Sequence, residues 1–394
     1  MSSSAPAYNI ARMGNRTCEF LVIGGGIAGA SAACALSPHG KTLIAERENA
    51  PDIHTTGRSA ATLTRAYENA LVSTLISASV PFLETAHETG FSSNPILSPR
   101  GTLCIASEER LAELDAFYTQ FLPTVESLQK LDKAETLALP GAKILKPEII
   151  AGSVLEPDAR DIDVHALHQG YLKQLKHHGG ALLLNAEILS LRHENGLWHA
   201  QTPQGDIEAK TVINASGAWA DEIARLAGVR PIGLEPKRRT IITFGGVPED
   251  IDTEQLHFTR DIQHSFYFRP EGRGQILASP SDEIPSPPCD AQPEEIDIAT
   301  AAYHVEEALI FPIRQIAHKW AGLRSFTPDR APAIGFDNEA PGFFWLAGQG
   351  GFGIKTAPAL SRIAESLIVS GEVPDDLTAR GISETALSPS RFQS

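Results

Sequence analysis

An apolar run from Cys18 to Ile23, interrupted only by Glu19, enters Gly24-Gly25-Gly26-Ile27-Ala28-Gly29 and then a helical stretch to about Ser37. Few local patterns restrict a chain so strongly, because this one reads as strand, tight turn and helix with Gly24, Gly26 and Gly29 in the spacing GxGxxG. The first glycine allows the turn, the second lets backbone approach a pyrophosphate, and the third lets the helix pack closely on the strand. After Pro38-His39-Gly40, the run Lys41 to Ala45 supplies a second strand. The opening segment is therefore one βαβ unit with parallel pairing and a right-handed crossover. Glu46 stands 17 residues after Gly29, at the end of the second strand, where a carboxylate can accept from ribose hydroxyls. An adenine dinucleotide is the expected ligand.

Beyond Glu46 the alternation breaks. His54 to Ala61 is a polar turn, followed by helical stretches at roughly 69–88 and 107–128. A helix from about Val164 to His178 and strands near 181–185, 187–193, 197–202 and 211–214 resume the βαβ-like pattern. From Pro231 to about Tyr303, segments such as Arg239 to Phe244, Ser265 to Phe268 and Gln275 to Ala278 are divided by Pro- and Gly-rich turns, which predicts an antiparallel sheet. A strand (Gly342 to Ala347) and a helix (Ile354 to Ser370) close the pattern. The expected fold class is α/β, a Rossmann-like GxGxxG domain interleaved with an α+β substrate domain built on an antiparallel sheet. The expected dinucleotide-binding part is discontinuous, at 17–66, 147–225 and 321–372. The substrate part takes 67–146 and 226–320, and 1–16 is a loose extension without the apolar core of a signal peptide.

Charge narrows the partners. With 33 Lys plus Arg against 48 Asp plus Glu the formal net charge is −15, which repels nucleic-acid backbones and anionic membranes. No apolar run reaches the ~18 residues of a membrane span. Four cysteines, Cys18, Cys34, Cys104 and Cys289, lie far apart with no CxxC spacing, arguing against a disulfide framework or zinc site and fitting a reducing, cytoplasmic setting. His165 and His168 share a helix face near Asp161 and Asp163, but without further spacing signals they read as surface histidines, and no metal is expected.

Two later segments choose between NAD and FAD. Gly350-Gly351-Phe352-Gly353 offers free backbone N–H groups at the start of the final helix, suited to charge developing on a reduced flavin. Val212 to Trp219 is a strand ending on small residues, as it would if a bulky cofactor lay across its tip. With FLVIGGGIAGAS, HTTGRSAA, DIDVHALHQGYL, VINASGAWADEIARLAGVRP, PKRRT, SFYFRP, WAGLRSF and GQGGFGI, the chain resembles the D-amino acid oxidase and glycine oxidase superfamily of flavoproteins from about Glu19 to Phe392. Within it, the chain looks most like the bacterial D-arginine dehydrogenases.

The resemblance implies FAD contacts at Ala28, Glu46, Arg47, Thr56, Gly57, Arg58, Ser59, Ala60, Ala61, Ile188, Ser216, Gly217, Gly353 and Ile354. Trp219, Gly350, Gly351, Phe352 and Lys355 join them from the same segments. It also implies hydride transfer from the amine-bearing substrate carbon to flavin N5, then hydrolysis of the imine to a keto acid and ammonia. Arg324 and Arg239 match the family's carboxylate clamp, Tyr67 and Tyr267 its tyrosines, and Gly351 the glycine whose carbonyl faces the amine. Three positions depart from the D-arginine dehydrogenase pattern: Thr62 for a histidine, Thr102 for the acid that receives a cationic side chain, and Lys355 for a glutamine beside the flavin. A small neutral or apolar D-amino acid is therefore expected over D-arginine. A secondary amine acid of the sarcosine or glycine kind, or a 2-hydroxy acid, is the alternative, and the electron acceptor, oxygen or a quinone, stays open. His54 matches a histidine that bears FAD covalently in the dimethylglycine dehydrogenase group but not in the D-arginine dehydrogenase pattern. Noncovalent FAD is expected.

Overall fold

The computed structural model describes residues 15–272 and 274–392, so the loose extension expected at 1–16 lies almost wholly outside the described residues. The opening unit forms as its pattern dictates: strand Arg16–Ile23, helix Ile27–Leu36 and strand Thr42–Ala45, with the two strands parallel. Both faces of the first strand are covered. Phe20 and Val22 pack under the helices Ile27–Leu36 and Gly353–Val369, while Leu21 and Ile23 point to the opposite core with Leu43, Trp198 and Trp345. Two buried faces explain why Phe20 to Ile23 are continuously apolar rather than alternating.

This strand is central to an eight-stranded sheet. Ile207–Asn214 lies parallel on one side and Thr42–Ala45, followed by Ala181–Leu183, on the other. The first half of Ile207–Asn214 pairs antiparallel with Leu197–Gln201, and its second half pairs parallel with Phe343–Ala347. The carboxyl ends at Ile23, Asn214 and Ala347 therefore open on the same edge of the sheet, where ligands of open α/β folds bind.

The second sheet has nine strands and is antiparallel except where Phe258–Asp261 runs parallel to Thr102–Ala106. Its longest pairing joins Glu235–Phe244 to Ile316–Phe326. It also recruits Gln129–Asp132 and Gly152–Glu156. The last of these, and the second half of Ile316–Phe326, fall in stretches expected with the dinucleotide part. All five residues of Gly152–Glu156 are buried, so the segment carries no alternation from which its sheet could be read. The sequence reading of strands up to Tyr303 also fails at Glu295–Ala308, which is a helix with Glu295 and Asp297 in its first turn, where acids suit the helix dipole. Thr62–Leu63, Leu97–Pro99 and Arg160–Ile162 make a small third sheet between the two. Among the described residues no helix is long and apolar enough to cross a membrane.

The turn that starts the fold has no slack. A Cβ on Gly29 would sit 1.9 Å from the Gly24 carbonyl oxygen, and one on Gly24, at φ +99°, would sit 2.7 Å from the Ala215 carbonyl. Gly29→Ala is therefore expected to push helix from strand and lower the temperature of flavin release by several degrees, consistent with an overpacking cost of ~1 to 3 kcal/mol. Fluorescence-monitored melting checks this; an unchanged melting temperature would show that the backbone can retreat.

Candidate active site

A cleft of about 720 Å3 runs along the carboxyl edge of the parallel strands and onto the face of the second sheet. That lies within the ~300 to 1,000 Å3 of small-molecule and cofactor sites. At one end is the glycine turn. Helix Ile27–Leu36 has only Gly26 at its N-cap, and Thr56 reaches over to cap it, its Oγ1 accepting from Ile27 N at 3.0 Å. Glu46 is buried, and its carboxylate accepts from Gly25 N (2.7 Å) and Glu48 N (2.9 Å), so it braces the turn with lone pairs to spare for a ribose. His168 holds the same turn from behind. Burial keeps its pKa below the ordinary histidine value, and the neutral ring sits with Nε2 2.8 Å from the Gly25 carbonyl, to which it donates. A surface reading of that histidine is therefore corrected; His165, by contrast, is exposed. Among the described residues no cluster of three or more His, Cys, Asp or Glu could hold a metal.

The other end carries the substrate candidates. The pairing of Glu235–Phe244 with Ile316–Phe326 sets Lys237 opposite Arg324 and so brings Arg239 diagonally next to Arg324 on one face. Arg239 is committed: Nε donates to the Asp282 carbonyl at 2.7 Å, and Nη2 lies 3.5 Å from Glu283. Burial and the neighbouring charge of Arg324 depress its pKa from the ordinary arginine value. Arg324 is different. Among the described residues no carboxylate or carbonyl accepts from it, and although burial opposes its charge, Tyr67, Tyr267, Glu283 and Asp282 outweigh that and raise its pKa. Gly351 lies against it: a Cβ there would meet Tyr67 Oη at 2.7 Å and Arg324 Nη1 at 2.9 Å. The Tyr267 hydroxyl is buried without a partner. Lys355, in the first turn of the helix Gly353–Val369, places Nζ 3.4 Å above the centre of the Tyr67 ring, and burial pushes its pKa down to about 7.

The group that fits such a cleft is long and anionic in its middle. Two helices start at its wall, Ile27–Leu36 and Gly353–Val369, the second with no side chain capping its N-terminus, and Gly217 at φ +58° leaves open space at the tip of Ile207–Asn214. The chain from 19 to 367 matches the family described as FAD dependent oxidoreductase, or DAO. The chain belongs to this FAD-dependent oxidoreductase family. FAD is its cofactor. This flavoprotein is 26% identical over 250 residues to mouse (Mus musculus) mitochondrial dimethylglycine dehydrogenase, covering 58% of the chain but only 28% of the mouse protein. It is 24% identical over 290 residues to glycine oxidase of Geobacillus kaustophilus, covering 71% of the chain and 72% of that enzyme. Its fold is similar to that of an L-proline dehydrogenase of P. horikoshii, with a TM-score of 0.80 at 21% identity, covering 96% of the chain and 98% of the other.

All eight residues expected at the substrate end of this flavoprotein, Thr62, Tyr67, Thr102, Arg239, Tyr267, Arg324, Gly351 and Lys355, line the one cleft. So do most of the expected cofactor residues, including Ala28, Ser59, Ala60, Ala61, Ile188, Ser216, Trp219, Gly350 and Ile354. Gly29, Gly57 and Phe352 stand behind the lining: Gly29 against Gly24, Gly57 against the Asp52 carbonyl, and Phe352 fully buried in the helix core. Arg58 faces the cleft with its guanidinium spent on the carbonyls of Ile53, Ala291 and Ala321. Arg47 lies 4.9 Å over Trp219, and His54 packs on that same ring while Nε2 meets Glu48 at 3.0 Å. Thr62 hydrogen-bonds Asp161 at 3.3 Å.

Three contributors escaped the sequence reading. Buried Glu156 accepts from Thr64 Oγ1, Arg65 N and Ala66 N and so fixes the turn that presents Tyr67; a lone acid in an apolar run was its only trace. Glu68 and Glu283 clasp Arg330, which stacks 3.9 Å over Phe326. Arg260 lines the cleft from the strand Phe258–Asp261.

Lys355 gives a prediction with a definite sign. Its depressed pKa means the ammonium costs the folded state its full amount below about pH 7, and the cost shrinks as pH rises toward the free-lysine value of ~10.4. Lys355→Met is therefore expected to raise the melting temperature of the flavin-loaded, substrate-free protein at about pH 6, with the gain fading between about pH 7 and 10. A gain independent of pH would contradict the buried-charge account.

Proposed function

We propose that this flavoprotein oxidises the carbon–nitrogen bond of a small amino acid that lacks a cationic side chain. The observation that carries the reading is Arg324, a sheltered guanidinium with no carboxylate of its own, facing Tyr67, Tyr267 and Gly351. A planar fork of N–H donors grips a carboxylate through two parallel bonds and fixes its plane. The Tyr267 hydroxyl supplies a further donor, and the Gly351 carbonyl an acceptor for the amine. FAD held in this cleft would supply the two-electron oxidant for the substrate carbon's hydride, while the chain's own residues bind and orient the substrate. Loss of that hydride and an amine proton leaves an imine, which water converts to a 2-keto acid and ammonia. We infer that the FAD is held noncovalently, the His54 ring being engaged by Glu48 and Trp219.

A cationic substrate fits poorly, which separates this chain from the D-arginine dehydrogenase pattern it otherwise resembles. Thr102 carries no charge, and Glu68, the nearest replacement acid in sequence terms, is clasped to Arg330. A D-amino acid is one substrate form. A secondary or otherwise N-substituted amine acid, or glycine itself, is the other, favoured by relatives named dimethylglycine dehydrogenase and glycine oxidase and by a structural neighbour named L-proline dehydrogenase. Ammonia released with a keto acid marks the first; a primary amine released from an N-methyl substrate marks the second.

Arg324→Met tests the clamp. It is expected to retain flavin and to weaken reduction by substrate at least tenfold, matching the loss of a charge-assisted contact worth ~1.5 to 3 kcal/mol. An unchanged concentration dependence in rapid mixing would remove Arg324 from the site. Acid precipitation tests the cofactor linkage: a colourless pellet is expected, and a yellow pellet yielding a flavin-bearing peptide with His54 would overturn it.

A further inference from the structure

We propose that the substrate carries a second carboxylate, received by Lys355 and Arg260 beside Thr102; this rests on the reading above and names the substrate class. Arg324, Lys355 and Arg260 all line the cleft, and among the described residues none has a carboxylate in direct contact; Glu156 and Glu68 act on Lys355, and Glu283 and Asp282 on Arg324, only from farther off. Arg260 lies 4.8 Å over the Phe117 ring, with Nη1 3.4 Å from the ring nitrogens of His264. Burial and Arg260 together hold the His264 pKa down at about 4, so that ring is neutral and adds no positive charge beside Arg260.

The nearby acids are committed elsewhere. Asp261 accepts from Ser265 N, Ser265 Oγ and Phe266 N, and Glu156 from the 64–66 turn. Glu283 is shared by Arg239, Lys237 and Arg330, and Glu68 is clasped to Arg330. A buried cation without an acid in contact, such as Lys355, is expensive, and a ligand that brings the missing charge recovers that cost; the half-exposed Arg260 adds a second positive charge at the same wall. One carboxylate satisfies Arg324 alone.

Strand register places the remaining cations within reach of the same small molecule. Phe258 pairs with Thr102, and two residues on, Arg260 pairs with Tyr267, whose orphaned hydroxyl faces the clamp. From the other side, Lys355 covers the ring of Tyr67, the tyrosine whose hydroxyl meets Gly351 and Arg324. An apolar side chain would leave both cations bare.

The test compares substrates of equal shape that differ in one charge: D-glutamate with D-glutamine, and iminodiacetate with its monoamide, by anaerobic rapid-mixing reduction of the flavin-loaded enzyme. Calorimetric binding of glutarate against its monoamide gives a second readout independent of turnover. In at least one substrate pair and in the binding pair, the dianionic member is expected to be favoured at least ~10-fold, as for a gained charge-assisted hydrogen bond. In Arg260→Met and Lys355→Met the preference is expected to fall below about threefold. If the amides, D-alanine or sarcosine reduce the flavin as well as the diacids do, the second-carboxylate site is wrong while amine oxidation stands. If no amine reduces the flavin, both readings fall.

Discussion

The strand Ile316–Phe326 is the seam on which the two halves of the cleft depend. One edge pairs along its whole length with Glu235–Phe244, which fixes the diagonal of Arg239 and Arg324. Its carbonyl groups on the other edge are satisfied by the cofactor half: Thr55 Oγ1 donates to Leu323 O at 2.6 Å, Arg58 to Ala321 O, and Gly350 N to Ser325 O at 2.9 Å. Trp320 returns the contact, donating from Nε1 to the Arg58 carbonyl. A sheet edge presents a row of unpaired backbone groups that must find partners somewhere. Here they find them in segments that line the cleft, so the proposed carboxylate clamp and the proposed cofactor wall share one backbone frame.

Electrostatics then divides the labour among five cations. Arg239, Lys237 and Arg330 surround Glu283 and build a rigid wall with it. Arg324 and Lys355 are placed in similar seclusion with no acid in direct contact among the described residues, and the two groups respond differently. Arginine keeps its charge at any working pH. Lysine, pushed down to about 7, sits at the border between charged and neutral forms and is the more readily tuned by a ligand's charge. Holding charge ready inside a cleft costs stability, which is the usual price of preorganised recognition.

Much of this architecture was legible because local chemistry dictates it. The glycine turn, the second strand and the final helix appear within a residue or two of their expected limits, since close approach at Gly29 and an all-apolar strand leave few alternatives. The proposed clamp residues, which line the cleft, were picked out through motif resemblance; an isolated Arg or Tyr carries no such information. What stayed hidden depends on contacts between distant segments. The Glu68–Arg330 clasp requires positive φ at both residues, +60° in each, which neither residue type advertises. Glu156 and His168 act on turns far from them in sequence, Thr64–Ala66 and Gly25, and only the folded chain brings them there. Arg260 sits on a short strand whose parallel neighbour, Thr102–Ala106, comes from the other end of the sheet's sequence range.

The most direct measurement of the central claim is anaerobic mixing of the flavin-loaded protein with matched amines and alcohols, alanine of each hand, sarcosine, and lactate of each hand, while the visible absorbance of the flavin is followed. A carboxylate gripped by Arg324, with its amine facing the Gly351 carbonyl, predicts bleaching by at least one of the amines and far slower bleaching by lactate. Bleaching by lactate with none by the amines would contradict the account, because the same clamp would then present a carbon–oxygen bond.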